Sequence, residues 1–171
     1  MRRLTCAALL ALLLAAGCGE LLDDAPPPAA SEIRGAERAR VLRVVDGDTI
    51  IVRLAGRRER VRYIGVDTPE SVAPGRPVEC FGPAAKRENE RLVEGRTVTL
   101  TTDVEPRDRF GRLLAYVRRA SDGLFVNAEL VRRGFATTLT IPPNVAHAAR
   151  LRALQREARR AGRGLWGSCA G

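Results

Sequence analysis

Asp48, Asp67 and Glu70 supply three carboxylates, and Arg62 and Arg112 two guanidiniums, within the stretches "VVDGDTI", "VRYIGVDTPE" and "DRFGR". Asp48 follows an Asp-Gly turn. A meander that brings this turn beside the end of the next strand would set Asp48 and Asp67 together as hard oxygen ligands for Ca²⁺ or Mg²⁺. Pro69 holds Thr68 extended, so the Thr68 carbonyl can serve as a third oxygen ligand. Glu70 lies three positions beyond Asp67. It need not be a ligand there, yet it is near enough to hold a water as general base. Arg62 and Arg112 can each give two hydrogen bonds to phosphate oxygens and stabilise a pentacoordinate transition state. Taken singly, Asp48 reads as a hairpin corner and either arginine as a solvated charge. It is the combination that points to metal-assisted attack of water on phosphate.

The elements that must position these groups are legible in the period of the pattern. "VLRVV", "TIIVRLAG" and "RERVRYIGV" are short β-branched runs separated by "DGD" and "AGRR", which predicts a meander of three antiparallel strands. Helix formers follow over residues 82 to 94, with Pro83 in the first turn and Gly95 as the stop. "TVTLTTDV" and "RLLAYVRR" predict two more strands around the charged turn "EPRDRFG", and "LFVNAELVRRG" a short helix. The last helix is amphipathic and basic, with Asn144 as its expected N-cap. Five strands with three helices suit an α+β, mainly β fold built on a small closed barrel of the oligonucleotide-binding (OB) type, with a small open α+β sandwich as the alternative.

The 171 residues allow one domain and a tail. Residues 1–17 carry Arg2 and Arg3 and then an apolar run, and "AAGC" ends at Cys18. This resembles a bacterial lipoprotein signal, although Ala15 occupies the place of the usual large aliphatic residue. The alternatives are a plain signal peptide and a membrane anchor, but the apolar run falls short of the roughly 20 residues that span a bilayer. Residues 18–36 are rich in Pro, Ala and acid and read as a flexible tether, leaving a folded domain over 37–171. The expected location is extracytoplasmic, with lipidation of Cys18 anchoring the chain to a membrane. Cys6 leaves with the leader, and Cys80 and Cys169 remain as a disulfide or as two buried thiols. Removing Arg2 and Arg3 from 29 basic residues, against 20 acidic ones, leaves about +7. Such a charge favours nucleic acid or an anionic membrane surface.

"DGDT", "VRYIGVDTPE", "DRFGRLLAYV" and "VNAELVRRGFA", in this order and spanning about Val41 to Trp166, closely resemble the staphylococcal nuclease (thermonuclease) family. The resemblance implies a five-stranded OB-fold barrel with three helices. It also implies a Ca²⁺-dependent phosphodiesterase that acts as a monomer on DNA and RNA and leaves 3′-phosphate ends. Carried over by motif, Asp48, Asp67 and Thr68 take the calcium roles, Glu70 is the base, and Arg62 and Arg112 are the catalytic arginines. Arg109 and Phe110 stand where the family enzyme has Lys-Tyr, so charge is kept and a phosphate-binding hydroxyl is lost. Arg109 then contacts substrate with Arg62 and Arg112. The tyrosines expected to flank the substrate base would fall within "TTLTIPPN", which has no aromatic residue. A catalytically silent OB-fold binder of nucleic acid is the competing reading, but it has no need of all six reactive positions. A lipid-binding envelope protein would need none of the three acids. The lone His147 lies away from every motif and is expected on a helix surface, which excludes histidine-based mechanisms. Trp166 is expected to close the barrel end or pack on the last helix.

Overall fold

The computed structural model describes residues 35–71, 75 and 77–169. The leader, Cys18 and the tether up to residue 34 lie outside the described residues, which all belong to one unit, Glu32–Gly171. The three predicted runs form β1 (Ala36–Asp46), β2 (Thr49–Leu54) and β3 (Arg57–Tyr63), joined as antiparallel hairpins. Side chains alternate across each strand. Val41, Val44, Ile50, Val52, Leu54, Val61 and Tyr63 are buried, with arginines mostly on the outer face between them. Two register shifts bend β1, between Val41 and Arg43 and again between Val44 and Asp46. The bent strand pairs with β2 on one side and with a later strand on the other.

Past β3 the chain makes the two-residue strand β4 (Val66–Asp67) and the helix α1 (Gly82–Val93). It then forms β5 (Thr97–Thr101), β6 (Leu113–Arg119) and α2 (Val126–Arg132), and reaches a second two-residue strand, β7 (Thr137–Thr138). The barrel closes in the order β1-β2-β3-β6-β5. The first three strands form the expected antiparallel meander, and the seam beyond it is parallel, β3 running with β6 so that Arg62 lies opposite Leu114. A parallel pair needs a long crossover, and the chain through α1 and β5 supplies it. Asn127 is fully buried where β3 and β6 part, accepting from Val117 N–H and donating to the Ile64 carbonyl. The architecture is a closed five-stranded OB-type barrel with three helices, completed by α3 (Ala148–Arg160), and a final turn α4 (Leu165–Ser168). Its interior is filled by fully buried residues such as Ile50, Val61, Leu100 and Leu113, each contributing about 1.5–3 kcal/mol relative to exposure.

Two side chains, Asn144 and His147, sit differently from expectation, and Trp166 packs on the last helix as expected. Asn144 does not cap the last helix, which begins after His147. Its amide instead exchanges two 2.8 Å hydrogen bonds with the backbone of Glu105, pinning the 105–112 loop to the approach of α3. His147 is half-buried at the N-cap position, its ring edge-on to Tyr116 and Phe125. Burial and the charges of Arg118 and Arg150 hold its pKa below the ordinary value. Trp166 is half-buried beside α3, with the Arg159 guanidinium 4.8 Å from its ring centre. Cys80 and Cys169 are joined, with Cα atoms 6.0 Å apart, closing 89 residues of chain.

Candidate functional site

The β1–β2 turn places Asp48 inward at 5% exposure. One of its carboxylate oxygens accepts from the Thr49 hydroxyl, and the other from both the N–H and the hydroxyl of Thr68, at 2.9 and 3.0 Å. The Tyr63 N–H donates to the Asp48 carbonyl. The hairpin corner is thus bonded to the exit of β3 and to the segment behind it. Gly47 is required for this approach, since a Cβ there would lie 2.7 Å from the Thr68 hydroxyl oxygen. From below, fully buried Asn89 of α1 accepts from the Tyr63 hydroxyl and donates to the Asp46 carbonyl, fixing the turn against the barrel.

Arg62 ends the outer face of β3, and four acceptors surround its guanidinium. They are the carbonyls of Tyr63 and Val66 and the carboxylates of Asp48 at 3.2 Å and Asp67 at 2.7 Å. Asp67 is presented by the β4–β7 ladder, where it pairs with Thr137. Burial raises the Asp67 pKa, Arg62 draws it down, and the charges of Asp48 and Glu79 push it up again, for a net rise. Asp48, Asp67, Arg62 and Thr68 therefore form one bonded unit; the sequence pattern predicts that Asp48 and Asp67 meet, but not that Arg62 pairs with both of them.

Glu70 is set beside a different acid. Its carboxylate accepts from the Ser71 N–H and meets the carboxyl of Asp46, whose own pKa is raised, first by burial and then by this neighbour. The backbone of Glu70 is clamped by Glu79, whose carboxylate takes the Glu70 N–H at 3.0 Å and whose N–H reaches the Glu70 carbonyl at 2.9 Å. The start of α1 packs directly on that carbonyl, with Gly82 leaving no room for a Cβ. Sequence reasoning missed Asp46 and Glu79. Asp46 lies within "VVDGDTI", where it looked like a hairpin residue only, and nothing local marks Glu79.

Across a cavity of about 420 Å³ stands the 105–112 loop, and Arg62, Arg109, Phe110, Arg112, Leu139 and Ile141 line the space between. Arg112 gives its Nε to Asp108 at 2.6 Å and its backbone N–H to the same carboxylate. Its two Nη groups have no hydrogen-bond partner among the described residues. Partial burial pushes the Asp108 pKa up, but the hydrogen bonds from Arg112 and from the Phe110 N–H outweigh it, so the net shift is downward. Phe110 is 68% exposed, with Arg109 4.8 Å and Arg112 5.4 Å from its ring centre. An exposed ring at a cavity lined with cations is a surface on which a base can stack. Sequence comparison registered only the missing hydroxyl at this position. Leu139 and Ile141 face the cavity, whereas the Thr140 hydroxyl turns to Arg152.

Among the described residues, no three carboxylate, histidine or cysteine side chains gather at metal-ligating distances. A cation here would take two carboxylates, Asp48 and Asp67, and complete its shell from the Thr68 carbonyl and water. That carbonyl accepts no hydrogen bond among the described residues. The acids around Arg62 outnumber it, and the charges of neighbouring acids push up the pKa of Asp67 and of Asp46. Such an oxygen-only, over-acidic donor set fits a hard divalent ion.

The Staphylococcal nuclease homologue family matches residues 60–168, which hold every element of the site except the Asp46–Asp48 corner. This chain belongs to the staphylococcal nuclease family. It is 41% identical over 136 residues to a Thermonuclease of Staphylococcus intermedius, covering 80% of this chain and 79% of that protein. It is 37% identical over 127 residues to a Thermonuclease of Staphylococcus hyicus, covering 74% of each. Endonuclease YncB of Bacillus subtilis (strain 168) is 36% identical over 126 residues, 72% of this chain and 59% of the relative. Within the family frame, this member has Phe110 at the cavity mouth, with Leu139 and Ile141 facing it.

Proposed function

We propose that this protein is a calcium-dependent nuclease that hydrolyses phosphodiester bonds of DNA and RNA to leave 3′-phosphate ends, acting as a monomer outside the cytoplasm. The observation that carries the reading is the facing of Arg62 and Arg112 across one cavity, the first locked to Asp48 and Asp67 and the second with both Nη groups open toward a ligand. Asp48, Asp67 and the Thr68 carbonyl would hold the cation. When bound, the ion stabilises charge on a phosphate oxygen and makes a neighbouring water more acidic.

The remaining steps belong to the chain. Glu70 takes a proton from the attacking water, its carboxylate kept in place by the Ser71 N–H and its backbone by Glu79. The water oxygen bonds to phosphorus and the bond to the 5′ oxygen breaks. That oxygen leaves as a hydroxyl by taking a proton from solvent water, and the phosphate stays on the 3′ side. Arg112 gives two hydrogen bonds to the equatorial oxygens as their charge grows, and Asp108 holds it at the right height. Arg109 and the face of Phe110 receive the neighbouring nucleotide.

A zymogram on DNA tests the reading. Clearing is expected with Ca²⁺, none with EGTA, and little with Mg²⁺, which resists an irregular oxygen cage. Equal rates with the two ions would remove calcium from the site, and DNA bound but never cut would leave a silent binder. The lipid tether at Cys18 is tested separately, by mass spectrometry of the N-terminal peptide of exported protein.

A further inference from the structure

Arg58, Arg60 and Arg62 occupy alternate positions of β3 and share its outer face, which ends at the site. Arg58 lies directly opposite Arg53 of β2, and Arg53 directly opposite Arg40 of β1, so three arginines form one row across three strands. One strand step nearer the site, Ile51 separates Arg60 from Arg43 in a second row. All five of these arginines, Arg40, Arg43, Arg53, Arg58 and Arg60, are exposed. None of them makes an ion pair among the described residues. No acid occupies an outward position within these two rows. Glu59 points to the opposite side of β3 and is held by Arg107.

Some arginines elsewhere are matched to acids, as Arg91 is to Glu88, Arg119 to Asp122 and Arg132 to Glu129, whereas none of the five in these two rows is. Like charges directly opposite in a sheet destabilise it, so the wall holds a repulsion that the fold does not relieve from within. An external polyanion would relieve it. The wall also connects to the site. A groove of about 370 Å³ lined by Arg60, Phe110, Gly111 and Arg112 shares Phe110 and Arg112 with the cavity where Arg62 lies.

We propose that the outer face of β1, β2 and β3 is a second binding surface for the substrate, holding the phosphate backbone of the nucleic-acid chain beyond the nucleotides being cut. The chain leaves the cavity past Phe110 and Arg60 and crosses the rows at Arg58, Arg53 and Arg40. Strands lie about 4.8 Å apart and alternate residues rise about 7 Å, so the rows cover about 10 by 7 Å. A duplex presents one phosphate per about 1.7 Å of axis, giving roughly as many charges over that length as the wall has arginines. The guanidinium fork suits phosphate oxygens in particular. An anionic bilayer offers phosphates too, but the groove joins this wall to the cavity, which a bilayer surface would not enter.

The inference rests on the nuclease reading, and the experiment separates the two. The variant R40Q/R53Q/R58Q is compared with the parent on a long single strand and on a dinucleotide, in Ca²⁺. On the long strand KM is expected to rise about tenfold or more, and the slope of log affinity against log salt to shrink by about 2, since each lost phosphate contact on a single strand is worth about 0.7. Dinucleotide turnover stays unchanged, which also reports the fold as intact. R40K/R53K/R58K, which keeps the charges, restores most of the long-strand affinity. Equal responses of long and short substrates, or an unchanged salt slope, overturn the proposal. So does a loss confined to binding of phosphatidylglycerol vesicles, which would assign the wall to a membrane. Absence of any cleavage by the parent would defeat the nuclease reading alone, because fluorescence anisotropy of the long strand in EGTA still measures the wall.

Discussion

Arg58 and Arg62 lie on the same face of the same strand, and their surroundings are opposite. Arg62 is 14% exposed, with two carbonyls and two carboxylates around its guanidinium. Arg58 is exposed, makes no ion pair among the described residues and has another arginine as its cross-strand neighbour. The difference separates two uses of one residue type. A group that stabilises charge developing on one atom must be fixed before the reaction, and surrounding acceptors fix it. A group that attracts a long polyanion gains from staying solvated and unpaired, because its contribution is long-ranged and cumulative. Net charge counts both kinds alike, which is why composition predicts polyanion binding but not where catalysis occurs.

Changes at the mouth should alter turnover, and their sizes rank the parts. Glu70→Gln is expected to lower kcat by roughly 10²-fold or more, the range for a positioned proton acceptor, with DNA binding measured by anisotropy unchanged. Full activity in this variant would move the base to another residue, and Asp46, whose carboxyl meets that of Glu70, would be the first to test. Replacing Cys80 and Cys169 by serine should cost about 2–5 kcal/mol of stability in denaturant titration. Because Cys80 adjoins Glu79, the clamp on Glu70, the loss should be accompanied by a lower kcat at temperatures where the domain is still folded.

Arg62→Lys and Arg112→Lys keep the charge and lose the fork. Each should lower kcat by about 10²-fold, the lower end of what an oxyanion donor provides, with KM changing less. Effects on KM alone would make these arginines resemble those of the wall and erase the distinction. Tyrosine at Leu139 or Ile141 should tighten KM by about tenfold, the value of one stacked base, with kcat little changed. At Thr140, which turns away to Arg152, tyrosine should do nothing. If no variant tightens binding, the ring of Phe110 already supplies the stacking.

The smallest expected effect concerns pH. Asp108 has its pKa lowered in the folded protein. Its contribution to stability is therefore present above the ordinary carboxylate value and lost as pH falls through the lowered one. Asp108→Asn should unfold at a lower temperature than the parent at neutral pH, and the two melting curves should converge in acid. A constant difference across the range would mean that Asp108 acts by packing rather than by its charge on Arg112.

Much of this arrangement was legible in one dimension because it depends on period and local chemistry. Short β-branched runs between turn residues marked β1 to β3, Pro83 and Gly95 bounded α1, and the motifs gave Asp48, Asp67, Thr68 and Arg62, which the fold binds into one unit. Hydrophobic alternation marks a strand's faces but does not name its partner, so the parallel seam between β3 and β6 was decided by closure of the barrel. The same limit hid β4 and β7, two-residue strands too short to show a period.

The sequence by itself determined which groups are reactive and which strand faces point inward, since both follow from residue type and from a repeat of two. Tertiary structure decided who neighbours whom. Asp46 became the partner of Glu70, Glu79 its clamp, Asp108 the anchor of Arg112, and Asn144 a loop pin in place of a helix cap. Each of these is a hydrogen bond or a charge contact that forms only once separate segments are packed side by side. Such contacts fall off within a few ångströms, whatever the separation along the chain.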